Sequence, residues 1–316
     1  MNDDRPSEPC EPADTKVAFD PVGVGLCILE GKYEKKDKAL AFELFQKPAD
    51  QGDAFAQLGL GECYEAGLGV EQSDAKAVEW YRKAADQGLA DAQFNLGGCY
   101  YTGKGVERDT AQAVEWYRKA ADQSLGYGVC NAQLNLGVCY ENGEGVERDA
   151  AKAAEWYRKA ARLCETARYN LAQCYLFGRG VEQNDAKAAE WFRKAAKRGH
   201  ASAQLNLGVC YALGRGVEQN ADQAVAWYQK AAAQGVARAQ FNLGVCYANG
   251  DGILKDDVQA YAWLSLAGAQ GFNSAKEQLA KVERVLTATR RGKAQELAAT
   301  IFAEIAKTKP RNKGQD

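Results

Sequence analysis

Histidine, methionine and proline are scarce here: one His, one Met and six Pro among 316 residues. A single histidine, His200, gives no imidazole pair for a metal site, and no C-x-x-C pair stands in for it, so neither a metal nor a cofactor is expected. Excess charge of one sign is also missing. With 40 basic and 42 acidic residues the formal net charge is −2, which offers no global field for nucleic acid or anionic lipid. No apolar run approaches the roughly 20 residues needed to cross a bilayer, so membrane insertion is not expected. Residues 1–19 open with an acidic stretch bearing Pro6, Pro9 and Pro12 and no apolar core of the secretory type. They read as a disordered leader, with the cytoplasm as the expected compartment. The basic end, Lys307, Lys309, Arg311 and Lys313, reads as a solvated cap boundary and a disordered tail over residues 309–316.

What the chain does have is a ruler. All six tryptophans, Trp80, Trp116, Trp156, Trp191, Trp227 and Trp263, occupy one slot of an internal repeat, spaced 36, 40, 35, 36 and 36 residues apart. A period of this size marks stacked supersecondary units. In residues 92–127, a helix A carries Ala92, Leu96 and Tyr100, a Gly103-x-Gly105-Val106 turn follows, and a helix B begins after Asp109 with Ala113, Trp116, Tyr117, Ala120 and Ala121. Apolar residues return at i, i+3 and i+4 in both segments, which predicts two amphipathic helices. The helix-B N-cap slot reads Asp37, Ser73, Asp109, Asp149, Asn184, Asn220 and Asp256, all side chains able to accept from an orphan N–H. Gly52, Gly88, Gly199, Gly235 and Gly271 suit a left-handed helix stop. Gly61, Gly97, Gly137, Gly208 and Gly244 let helices approach closely, and the tryptophans are expected to fill the space between units.

Seven of the ten cysteines (Cys27, Cys63, Cys99, Cys139, Cys174, Cys210, Cys246) also share one slot. Equivalent positions in stacked helices lie roughly 10 Å apart, too far for a disulfide, so this ladder reads as buried packing thiols. Helix pairs begin near residues 20, 56, 92, 132, 167, 203 and 239, within a repeat region of residues 20–274. The first is degenerate, with Leu44 in the tryptophan slot and Pro48 at the helix end. Residues 275–308 read as capping helices, with Ala294, Leu297, Ile301 and Ile305 on one face.

The pattern Ala203-Gln204-Leu205-Asn206-Leu207-Gly208-Val209-Cys210-Tyr211, Gly214-Arg215-Gly216-Val217, Ala224-Val225-Ala226-Trp227-Tyr228-Gln229-Lys230-Ala231-Ala232 resembles the Sel1-like repeat, a relative of the tetratricopeptide repeat. The resemblance covers roughly residues 54–273. It implies an all-α, right-handed superhelical solenoid of about seven helix-turn-helix repeats with a C-terminal helical cap. It also implies a non-enzymatic scaffold that binds a protein or peptide, with helix A lining the concave face. Some cysteine-rich relatives are discussed as β-lactam binders, so a hydrolase or β-lactam-binding protein is the alternative.

Several motifs have plainer readings than the chemistry they suggest. Gly-x-Gly lacks the third glycine and the lysine of a phosphate loop and falls between helices. Ser73-Asp74-Ala75-Lys76 fits Ser-x-x-Lys but has no Ser-Asp-Asn or Lys-Thr-Gly companion, so Ser73 reads as a helix cap. His200 reads as an exposed polar loop residue. Glu79 with Lys83, Glu115 with Lys119, Glu155 with Lys159 and Glu190 with Lys194 read as i, i+4 helix pairs.

Binding is expected on the open sector of helix A, at slots 91, 95, 98 and 102. Slot 95 holds Asn95, Asn135, Asn170, Asn206 and Asn242. These amides serve either the backbone of an extended peptide or the hydrogen bonds that fix repeat stacking. Slots 98 and 102 vary, and Phe177, Val209, Leu213 and Val245 would form an apolar patch, unless curvature buries them against the next repeat. The period breaks twice. Ser124–Asn131 carries four extra residues, expected as a loop insertion, and Arg162–Thr166 lacks one; Ser124 and Cys164 replace the helix-stop glycine. Cys130 and Cys164 then fall at nearly matching positions, either as surface thiols or as a thiol switch.

Overall fold

The computed structural model describes residue 22, residues 38–124 and residues 126–308. The expected leader, the basic tail, Cys27 and Asp37 lie outside the described residues. Among the described residues there are fifteen helices and no strand. They fall into two compact units, Met1–Arg108 and Asp109–Asp316.

The first unit contains α1 (Lys38–Asp50), α2 (Ala54–Ala66), α3 (Asp74–Asp86) and α4 (Ala90–Thr102). The second contains α5 (Thr110–Ala121), α6 (Tyr127–Asn142), α7 (Ala150–Ala160), α8 (Glu165–Phe177), α9 (Asp185–Ala196), α10 (Ala201–Leu213), α11 (Ala221–Ala233), α12 (Ala237–Asn249), α13 (Asp257–Ala269), α14 (Asn273–Val285) and α15 (Ala288–Thr308). Consecutive helices pack on each other from α1 to α4 and from α5 to α14, and α15 packs back on α13. On α15, Ala294 and Ile305 are buried while Leu297 and Ile301 are half-buried, as a one-faced helix requires. No helix among the described residues is long and apolar enough to cross a membrane.

The helix ends follow the sequence signals. Ser73, Asp109, Asp149, Asn184, Asn220 and Asp256 each accept a backbone N–H from the first turn of a helix B. Helix A starts about two residues earlier than the Ala-Gln pair suggests, at Ala54, Ala90, Ala201 and Ala237. His200 is half-buried rather than an exposed loop residue. Its Nδ1 accepts the Ala203 N–H at 3.2 Å and its ring stacks on Tyr169 with centroids 4.7 Å apart. Burial lowers its pKa, which favours the neutral ring that this cap requires.

The core corrects one expectation. The aromatic that fills the space between helices is the residue after the first five tryptophans: Tyr81, Tyr117, Tyr157 and Phe192 are fully buried and Tyr228 nearly so, with Leu264 in this slot after Trp263. Tyr157, Phe192 and Tyr228 share clusters with the fully buried helix-A leucines Leu171, Leu207 and Leu243. Every tryptophan is instead half-buried at the edge of these clusters. Its outer face carries the lysine three residues on: Lys83, Lys119, Lys159, Lys194 and Lys230 sit 3.7–4.2 Å from the indole centroids. Lys194 also pairs with Glu190 at 2.7 Å.

Three of the four extra residues join the helix instead of a loop. They lengthen α6 to 16 residues where the other A helices have 13, adding Tyr127–Val129 ahead of Cys130, which stands where Ala90 and Ala201 open other A helices. The addition is nearly one 3.6-residue turn at the N-terminus, so the face from Cys130 onward is that of the other repeats.

Candidate functional site

The open sector of helix A forms a groove in each unit. In the first, a cavity of about 230 Å³ is lined by Phe94, Asn95, Gly98 and Thr102 on α4, with Glu65 and Lys104. In the second, a cavity of about 510 Å³ is lined by Phe241, Asn242 and Val245 on α12, with Tyr228, Asp251 and Gln278. Slots 95 and 98 face solvent space in both.

All five slot-95 asparagines, Asn95, Asn135, Asn170, Asn206 and Asn242, are half-buried. Asn170 lies beside the Tyr157 hydroxyl, and Asn242 beside the Tyr228 hydroxyl, each tyrosine standing on the preceding helix B. The apolar residues separate by slot. Phe177 and Leu213 are 56 % and 69 % exposed, whereas Val209 and Val245 are half-buried against core clusters.

Two sets of contacts were not legible as roles in the sequence. The glutamine of each Ala-Gln pair is the stacking residue: Gln57, Gln93, Gln133, Gln204 and Gln240 donate to Ala49, Ala85, Ala121, Ala196 and Ala232 carbonyls at the end of the preceding helix B. Satisfying a buried carbonyl with a buried amide specifies register, because an unmade bond would cost about 1–3 kcal/mol. The recurring Ala-Gln spelling was the available signal; the fifth repeat reads Ala167-Arg168, and Arg168 Nε donates to the Ala161 carbonyl at 2.7 Å instead. A second device joins three repeat elements. Tyr81 donates to Glu65 at 2.6 Å and Lys104 to its other oxygen at 3.0 Å; Tyr157 and Arg179 hold Glu141 in the same way at 2.6 and 2.8 Å.

Glu62 occupies slot 98 of the second repeat. Burial first, then the nearby carboxylates Glu65 and Asp91, push its pKa up to about 7. A carboxyl with a raised folded pKa holds its proton better in the native state, so stability is fully present below the unfolded value of 4.5 and is lost as pH rises through about 7. The unfolding free energy of the first unit is expected to fall by about 3 kcal/mol between pH 4.5 and 8, and Glu62→Gln should flatten that slope. Denaturant titrations at stepped pH check this; an unchanged slope in the variant refutes it.

The remaining motifs resolve into scaffold. Ser73 Oγ accepts the Lys76 N–H at 3.4 Å, while the Lys76 ammonium lies 5.3 Å from the Tyr64 ring centroid rather than on the hydroxyl. The described ladder cysteines sit in or against the core. Burial pushes their thiols up, to about 11 for Cys99, Cys139, Cys174, Cys210 and Cys246 and about 12 for Cys63 beside Glu62. Such thiols carry almost no thiolate at neutral pH and act as packing groups.

Residues 22–53, 54–89, 90–125, 130–163, 166–200, 201–236 and 237–272 each match the family model described as Sel1 repeat. A Sel1 repeat protein from Oxalobacter formigenes is 33 % identical, with 79 % of this chain and 97 % of that chain covered and a TM-score of 0.67. A protective antigen present in uropathogenic Escherichia coli strains, displaying an SLR fold, is 28 % identical over 94 % of this chain and 88 % of that one, with a TM-score of 0.48. An immunity protein from Pseudomonas aeruginosa is 25 % identical over 68 % and 80 %, with a TM-score of 0.41. A comparison with curated proteins finds no match. Seven consecutive repeat matches, which together span residues 22–272 almost without a gap, establish that this chain belongs to the Sel1 repeat family.

Proposed function

We propose that this chain is a non-enzymatic scaffold that binds a peptide or helix of a partner protein along the helix-A sector. The observation that carries this reading is the recurrence of one arrangement: slots 95 and 98 line an open groove in each unit, with Asn95 and Gly98 in one and Asn242 and Val245 in the other. An amide beside an apolar floor suits a ligand with alternating backbone and side-chain contacts. Two of these asparagines lie beside tyrosine hydroxyls of the preceding helix B, so one amide has polar atoms enough to serve both stacking and a ligand. Phe177 and Leu213 supply exposed apolar anchors in slot 102 of the second unit. Sel1 repeats generally serve protein interaction, which agrees with this reading.

The test uses a displayed peptide library panned on the full chain. Because both side chains are exposed, Phe177→Asp with Leu213→Asp should change folding stability by no more than about 0.5 kcal/mol each. Affinity for the selected peptides is expected to fall at least about tenfold, the cost of one or two lost anchors. Unchanged affinity in a folded double variant would remove slot 102 from the binding face.

A further inference from the structure

The fourth and fifth repeats meet where the period breaks, and the break brings two thiols together. The residues added to α6, Tyr127–Val129, end just before Cys130. The missing residue makes Cys164 occupy the helix-stop slot counted from α7 and, at the same time, the N-cap of α8. Both cysteines address one carbonyl: the Cys130 thiol lies 3.9 Å from the Ala160 oxygen, which also accepts the Cys164 N–H at 2.9 Å. Cys130 packs against the core cluster that contains Cys164. Cys130 lines a cavity of about 330 Å³ with Ser124, Val129, Gln133, Lys159 and Leu163, and Cys164 is 9 % exposed behind it. Among the described ladder cysteines, Cys99 and Cys246 also line cavities, each without a second cysteine in the lining.

We propose that Cys130 and Cys164 form a reversible disulfide site, oxidised by small organic disulfides that enter through this cavity. The deprotonated Cys130 sulfur attacks one sulfur of the organic disulfide; the S–S bond breaks, and the departing thiolate takes up a proton and leaves as a thiol. The mixed disulfide on Cys130 is then attacked at the Cys130 sulfur by the deprotonated Cys164 sulfur. The second thiolate leaves and is protonated in turn. Two cysteine thiols lose two hydrogens, and one organic disulfide becomes two thiols. The bond ties the first turn of α6 to the N-cap of α8, at the junction that lacks its helix-stop glycine.

Burial, the Cys164 thiol and the Glu165 carboxylate push the Cys130 thiol up, with the Arg168 guanidinium opposing them; Lys159 and Asp122 also face the cavity. The reactive thiolate is therefore scarce at neutral pH. The oxidation rate is expected to climb about tenfold per pH unit from 7 to 9, where an ordinary exposed cysteine levels off near 8.5.

The experiment incubates the full chain with bis(2-hydroxyethyl) disulfide, blocks remaining thiols and maps the digest by mass spectrometry. The expected product is a peptide pair joined through Cys130 and Cys164, with two of the ten thiols lost and restored by dithiothreitol. Cys164→Ser should stop at a mixed disulfide on Cys130, and Cys130→Ser should yield no cross-link. A persistent mixed disulfide on wild-type Cys130, cross-links confined to other cysteines, or no reaction of this pair overturns the proposal. The wild-type map decides the matter even where a serine variant folds poorly.

Discussion

Tyr157→Ala is expected to destabilise the second unit by about 3–5 kcal/mol, clearly more than Trp156→Ala. Tyr157 is fully buried among Ala153, Ala154, Ala160, Leu171 and Cys174, so truncation leaves a cavity that small neighbours cannot refill. Its hydroxyl also donates to Glu141, which holds Arg179 from the next repeat. Removing the ring thus loses packing and a link between repeats together. Trp156 is half-buried with the Lys159 ammonium 3.8 Å from its ring centroid, so part of its surface already faces solvent and less is lost. Tyr157→Phe separates the two contributions and should cost only about 1–2 kcal/mol, the value of a hydrogen bond to a charged group. Denaturant unfolding followed by circular dichroism measures all three. Equal losses for Trp156→Ala and Tyr157→Ala would return the tryptophan to the centre of the core.

The second large effect is at the interhelical turn. Gly180→Ala should cost about 2–4 kcal/mol, adding the left-handed penalty at φ 68° to steric displacement of a helix start. A Cβ at Gly180 would collide with the Ala150 carbonyl and the Ala151 nitrogen at the head of α7. Backbone cannot rotate away as a flexible side chain can, so the two repeats would have to separate. Gly178, at φ 66°, is the internal control: a Cβ there meets only the Gln183 Cβ, at 3.3 Å, and the expected cost is about 1 kcal/mol. Comparable losses at both positions would mean that conformation alone, not close approach, demands the second glycine of Gly-x-Gly.

The period, the helix pairing, the helix-B caps and the glycine stops were readable from the chain because each is a local device. An Asp109 or Asn184 acts within one turn, and a Gly88 needs only its own φ, so spelling and structure correspond one to one. The aromatic roles were not readable in that way. Trp156 and Tyr157 are adjacent, both apolar and equally repeated; which of them enters the core depends on the roughly 100° that separates neighbours on a helix and on where the next helix lies. The larger side chain stands out in sequence, yet the smaller one points inward.

The insertion was not readable for a related reason. Four extra residues look like a loop until the helix they join is known, and then three of them extend its first turn. The binding sector is intermediate: its slots were found on a helical wheel, but the division of Phe177 and Leu213 from Val209 and Val245 arises from contacts with later helices.

The sequence alone determined that this protein is a stack of repeated helix pairs, because periodicity and capping are encoded within about 36 residues at a time. Only the tertiary structure decided which aromatic is core, that Gln57 and its equivalents lock register, and that Cys130 and Cys164 share the Ala160 carbonyl. Those outcomes depend on atoms from different repeats arriving at the same place, and no single repeat specifies that.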